Sequence, residues 1–256
     1  MTPQEVADLL RRTVQAESGR TVVVLSDPSI QSTATVCVQD PATPMYTLRY
    51  APALESELPY LVAFECMMLL RTVRADAGFR FDVVSTAKMV REVHLLVAEH
   101  LRKTHPGIAD SLVTKAAGQL GNGLGVQLRS MPIAIRVDDF LRREYPMLAE
   151  MQQVNVERQL QNAMQSLGTA VRNFAPPRLL DASSAMNCAF AMFWGRTWNR
   201  PELAVPFLSA GFGAIGTKLL ELVSSIGSTP NGDRQLVEQW TSLLSLGEWY
   251  QTRTKA

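Results

Sequence analysis

The chain has 256 residues, 46% hydrophobic and 19% charged, a composition that suits a globular fold burying about three-quarters of its unfolded surface without a metal or disulfide. Lys plus Arg number 25 against 24 Asp plus Glu, and the resulting net charge of +1 argues against nucleic-acid binding or attachment to a membrane surface by charge. Cys37, Cys66 and Cys188 are odd in number and form no CxxC pair, so neither a zinc ribbon nor a disulfide framework is indicated and a reducing, cytoplasmic setting is expected.

Acidic residues at the N-terminus stand where a secretion leader would be basic and then greasy. Val6, Leu9, Leu10 and Val14 follow at helical spacing within residues 2–17, and Gly19 ends that helix. Thr21 to Leu25 is short and β-branched, and Ser26-Asp27-Pro28-Ser29 is a turn cluster. Thr33 to Val38 and Met45 to Tyr50 read as two further strands; Pro41 and Pro44, which donate no ladder hydrogen bond, belong to the connection Gln39 to Pro44. From Glu55 onward no strand is expected, and helices are placed at about 56–75, 84–104, 108–127, 131–144, 147–174, 179–199, 202–227 and 233–250. Leu203 to Ile215 is too short and too interrupted by Pro206, Gly211 and Gly213 to span a bilayer, and reads as a buried helix. The fold class is therefore α+β: a small, mainly antiparallel sheet of about three strands near the N-terminus, packed on a buried helix, with a largely helical remainder. Pro176-Pro177 is the clearest internal boundary, dividing 1–175 from a helical extension at 178–256.

The segment Leu61 to Leu70 has nine apolar residues in ten, with Glu65 in their midst. A carboxylate there must be paired, hydrogen-bonded, neutralised by a raised pKa, or open to a cleft. Pairing with Arg71, Arg74 or Arg136 is one reading; lining a cleft is the other.

Tyr60-Leu61-Val62-Ala63-Phe64-Glu65-Cys66-Met67-Met68-Leu69-Leu70-Arg71 resembles the helix of bacterial zincin-like peptidases of the ImmA/IrrE type, which reads roughly Y-L-I-A-H-E-L-G-H-x-x-R. Met45 to Pro52 is similar to the strand and connector that lead to that helix, and Gln127 to Leu141 to a downstream segment of some members. The resemblance covers about residues 20–150. In the family two histidines, one turn apart, grip Zn²⁺ while the adjacent Glu works on the metal-bound water. Here the ligand positions are Phe64 and Met68: a phenyl ring has no lone pair, and a thioether is a poor ligand for zinc. Glu65 alone matches the catalytic residues, so the resemblance implies a degenerate peptidase frame without zinc or other cofactor, and a binding cleft around Phe64, Glu65, Met68, Arg136 and Asp138. No metal role is transferred to Asp138.

His94, His100 and His105 are six and five residues apart, so no two share one helical face. Cys66 reads as an inert buried thiol. Gly211 to Gly216 matches G-x-G-x-x-G, but helical surroundings speak for close packing rather than a dinucleotide site. Gly118, Gly121, Gly123 and Gly125 suggest a loosened helix or loop, and Trp194, Trp198, Trp240, Trp249 and Tyr250 read as a core stripe or a partner-binding face. These features together lead to the expectation of a non-catalytic bacterial cytoplasmic module that binds a protein or peptide and contacts neither nucleic acid nor membrane. The alternatives are an active hydrolase with a displaced metal site and a helical interaction protein whose motif is coincidental.

Overall fold

A computed structural model describes residues 1–30, 34–38 and 45–255, with backbone alone for 34–38. Thr33, the connection Gln39 to Pro44 and the side chain of Cys37 lie outside the described residues. The protein is mostly helical with small sheets. Contacts group it into two units, Met1–Asp76 with Arg136–Arg158, and Ala77–Ile135 with Gln159–Ala256. Pro176 and Pro177 open a helix of the second unit as its N-cap and first residue.

In the first unit, helix α1 (Pro3–Ser18) starts with a capping box in which Thr2 and Glu5 satisfy each other's backbone N–H, and it ends at Gly19 with φ 70°. Val6, Ala7, Leu10 and Val14 form its buried stripe. Strands β1 (Thr21–Ser26), β2 (Ala34–Val38) and β3 (Met45–Tyr50) make a sheet in the order β1-β3-β2. The expected mainly antiparallel sheet is corrected: β1 pairs with β3 in parallel, Thr21 opposite Met45, while β2 pairs with β3 antiparallel, Ala34 opposite Tyr50. Short apolar strands carry little information about pairing direction, which depends on strands distant in sequence. The backbone of α1 contacts β1 and, more extensively, helix α2 (Leu58–Arg74). A proline-led turn, Pro52–Glu57, joins β3 to α2.

The second unit contains a sheet that the sequence reading missed. Strand β4 (Phe81–Ser85) pairs antiparallel with β5 (Tyr250–Thr254), Phe81 opposite Thr254. The helix expected at 84–104 takes in Val84 and Ser85 of β4; helix α3 (Ala87–Thr104) starts at Thr86, whose hydroxyl accepts from Met89 N–H at 3.1 Å. The helices expected at 108–127 and 131–144 are one, α4 (Asp110–Glu144), with Pro132 inside it. Next come α5 (Ala149–Gln165) and α6 (Thr169–Phe174), then the buried helix α7 (Pro177–Thr197). The span 202–227 divides into α8 (Val205–Ser209) and α9 (Gly213–Ser225) at Gly211, φ 93°; α10 (Gly232–Leu243) stops well before β5. Among the described residues no helix is long and apolar enough to cross a membrane.

The glycines of α4 do not loosen it. A Cβ at Gly125 would lie 2.8 Å from Tyr250 Cε1, and one at Gly121 would lie 2.9 Å from Met89 Sδ. Their absence opens a notch, and the Tyr250 hydroxyl enters it to donate to the Gly121 carbonyl at 2.6 Å. Gly216 likewise lets α9 approach Cys188 on α7, where a Cβ would sit 2.8 Å from Sγ. Of the C-terminal aromatics, Trp194, Trp240, Trp249 and Tyr250 are buried core.

Gly125→Ala should destabilise the protein by about 1–3 kcal/mol, overpacking against Tyr250 outweighing the gain of about 1 kcal/mol in helix propensity. Gly123→Ala meets nothing within 4 Å and should stabilise by up to about 1 kcal/mol. Urea denaturation of the two variants checks the opposite signs.

Candidate binding site

The first unit assembles several of the residues singled out from the sequence. Tyr60, Phe64 and Met68 fall on one face of α2, with the Tyr60 and Phe64 rings 6.1 Å apart. Phe64, Glu65 and Met68 are each half-buried. Asp138, on α4, is 1% exposed and accepts a hydrogen bond from the Tyr60 hydroxyl at 2.7 Å. Gln152 Nε2, on α5, donates both to the Asp138 carboxyl and to its carbonyl at 3.0 Å. One turn before Tyr60, the buried Glu57 takes a two-pronged ion pair from Arg158 and a hydrogen bond from Asn155. Arg136 is buried on the same stretch of α4, two residues from Asp138.

The electrostatics follow from burial. Glu65 is lifted from an ordinary 4.5 to about 7 by desolvation alone. Asp138 reaches about 7 because desolvation outweighs the hydrogen bonds from Tyr60 and Gln152 that pull it down. The Tyr60 phenol is raised by burial first and then by the charge of Asp138. Cys66 is pushed up to about 12 by burial, so its thiol is inert, as expected. The chemistry of this group is that of a buried polar support: two carboxyls near their neutral form, one of them held by a phenol and an amide. The depression seen in the first unit, about 190 Å³ between α1 and β1, is lined by Asp8, Arg11, Arg12, Gln15, Thr21 and Val22, and not by Glu65.

A larger open cleft, about 730 Å³, lies in the second unit, between α10 and β5. Thr241 and Ser242 of α10 form one wall, and Tyr250, Gln251 and Thr252 of β5 the other. Three consecutive strand residues cannot share one face of a sheet, because side chains alternate; the cleft therefore borders the edge of β5. The ladder confirms which groups face outward. Lys255 N–H bonds to Arg80 O and Thr86 N–H to Trp249 O, which makes Asp82–Arg253 and Val84–Gln251 the hydrogen-bonded pairs. The main-chain groups of Thr252 and Thr254 thus point away from β4, and among the described residues β5 has no second neighbour strand.

Fixed supports surround this edge. Thr252 donates to Glu238, which also pairs with Arg234 at 2.9 Å; Arg234 in turn reaches Thr254 Oγ1 at 2.9 Å. Lys88 pairs with Glu248 at the cleft rim. Trp249 donates its indole N–H to Glu92 at 2.8 Å, and Arg178 lies over its ring at 4.0 Å. Apart from Trp249 and Tyr250, which the sequence offers as a core stripe or a partner-binding face, none of these cleft residues is marked in the sequence; the alternation in Tyr250-Gln251-Thr252-Arg253-Thr254 is the signal available.

His94, His100 and His105 remain scattered along α3 and its end, His100 bonding the Arg172 carbonyl at 2.9 Å. Among the described residues no three His, Cys, Asp or Glu side chains cluster as metal ligands do. No family model, curated protein or solved structure matches the chain.

Glu65 gives a pH test whose sign is fixed. Its folded pKa exceeds its unfolded one, so the folded state holds the proton longer and stability falls as pH rises from about 4.5 to about 7. Glu65→Gln removes that penalty, and should stabilise the protein by about 1–3 kcal/mol at pH 8 with the gain vanishing near pH 4. Thermal unfolding across this range measures it.

Proposed function

We propose that the chain is a non-catalytic binding module for an extended peptide or protein segment, carried on a degenerate zincin-like frame in the bacterial cytoplasm. The observation that carries the binding reading is the outward edge of β5 beside an open cleft. An added strand gains main-chain hydrogen bonds from Thr252 and Thr254 while its side chains use the cleft, a recognition mode that requires no metal or reactive group. Support for the loss of hydrolysis comes from Phe64 and Met68, which stand where the family's zinc-ligand histidines would: a phenyl ring offers zinc no lone pair, and a thioether is a poor ligand for it. Cys66 and Cys188, buried and free, suit a reducing compartment. The first unit then serves as scaffold.

The edge can be blocked selectively. Thr252 N–H takes no part in the β4 ladder, so Thr252→Pro removes an outward donor without breaking a ladder bond, and Thr252→Val keeps the donor while deleting the hydroxyl. Selection of a random hexapeptide library on the purified protein should yield binders whose affinity falls at least tenfold in Thr252→Pro and by less than threefold in Thr252→Val. A library that yields no binder, or binders indifferent to Thr252→Pro, overturns the edge reading. Metal analysis of protein purified without added zinc addresses the other half: stoichiometric, tightly held zinc would restore the hydrolase alternative.

A further inference from the structure

The β5 edge has a direction, and the two ends of the cleft differ in charge. At the Thr254 end the cation is Arg234, whose guanidinium is already engaged by Glu238 at 2.9 Å, Thr254 Oγ1 at 2.9 Å and the Gly78 carbonyl at 3.3 Å. At the Tyr250 end the cation is Arg178, stacked on Trp249 and with a side chain 46% exposed. Its acidic neighbour, Glu92, stands 3.6 Å away and is shared with the Trp249 indole N–H and with Lys88. The two acids on the cleft wall, Glu238 and Glu248, are matched by Arg234 and Lys88. Arg178 is therefore the cation of the cleft with N–H donors to spare. Beside it, the turn that leads into β5 exposes Gly247 and Glu248, whose backbone N–H groups make no hydrogen bond among the described residues, whereas those of Trp249 and Tyr250 bond to the Leu246 carbonyl.

A strand added antiparallel to β5 runs its C-terminal end toward Tyr250 and stops at this turn. Resting on the reading of β5 as a peptide-binding edge, we infer that the cleft takes the free C-terminus of a partner chain, the terminal carboxylate pairing with Arg178 and the turn N–H groups while the preceding residues add to β5 through Thr252 and Thr254. A guanidinium matches a carboxylate with two parallel N–H···O bonds, and its stacking on Trp249 holds it in place before the ligand arrives. Backbone N–H groups at a turn supply the rest of a carboxylate-capturing nest. Parallel addition would bring the carboxylate to Arg234, whose donors are occupied, so the charge pattern selects one orientation.

The probe is a hexapeptide retained from the random library, synthesised once with a free C-terminus and once as the amide, each titrated into ¹⁵N-labelled full-length protein. The acid form should shift the Thr252 and Thr254 amides, and amidation should weaken binding tenfold or more. Arg178→Gln should bind acid and amide forms alike, and Arg178→Lys should retain part of the preference. Acid and amide forms that bind equally, both shifting Thr252 and Thr254, would overturn carboxylate capture and leave the edge reading standing. Binding that moves neither amide would overturn both. If Arg178→Gln proves unfolded in a thermal melt, the acid-to-amide ratio on the unaltered protein, with Arg178→Lys as the second variant, decides the question.

Discussion

Tyr250 enters a notch that only glycine can make in a helix. Gly121 and Gly125 lie one turn apart on α4; with no Cβ at Gly125 the phenol ring packs against the helix and its hydroxyl reaches the Gly121 carbonyl, while the missing Cβ of Gly121 leaves room for Met89. That contact fixes the first residue of β5, and the ladder to β4 fixes the rest. Everything proposed for the second unit depends on this placement. The outward groups of Thr252 and Thr254, the cleft against α10 and the stacking of Arg178 on Trp249 all follow from where the last strand is held. Two glycines cost a helix interior about 1 kcal/mol each in propensity. The cost is offset by burying a tyrosine, a tryptophan and the hydrogen bonds of a strand.

The first unit shows a different use of buried polarity. Glu57 is fully partnered, because Arg158 and Asn155 meet both its oxygens. Among the described residues Asp138 and Glu65 have no such cation in hydrogen-bonded contact, and desolvation raises each to about 7. For Asp138 the arrangement is still specific: Tyr60 and Gln152 tie α2, α4 and α5 to one carboxyl. Such satisfied polar contacts inside an apolar core specify how helices align more than they add to stability. Glu65 is the exception, a group with a stability penalty near neutral pH on a helix otherwise made to be buried.

A zinc peptidase helix and a buried core helix share much of their pattern, and α2 shows where the two diverge. Both need an apolar run with a carboxylate inside it. The peptidase also needs imidazoles one turn apart, and α2 carries no histidine; Phe64 and Met68 share one face with Tyr60 as an apolar row. The binding reading accordingly moves away from α2, whose surroundings supply support, to the edge of β5, whose surroundings supply open space and unpaired main-chain groups.

The sequence by itself determined the local features with short-range causes. The opening helix and its end at Gly19, the three N-terminal strands, the helix around Glu65 and the buried Cys66 are all set by periodicity, capping and polarity within a few residues. Close packing at Gly216 was legible for the same reason. Tertiary structure decided what depends on partners far along the chain. The parallel pairing of β1 with β3 is not encoded in either strand. β4 and β5 each look like helix ends until they are brought together across more than 160 residues, and α4 runs as one helix through four glycines and a proline, with Met89 packed at Gly121 and Tyr250 at Gly125. The site differs in the same way. The residues marked around α2 could be found from a local motif, whereas Arg178, Gly247 and Thr252 acquire a role only through juxtaposition, since a cleft beside a strand edge exists nowhere in the one-dimensional pattern.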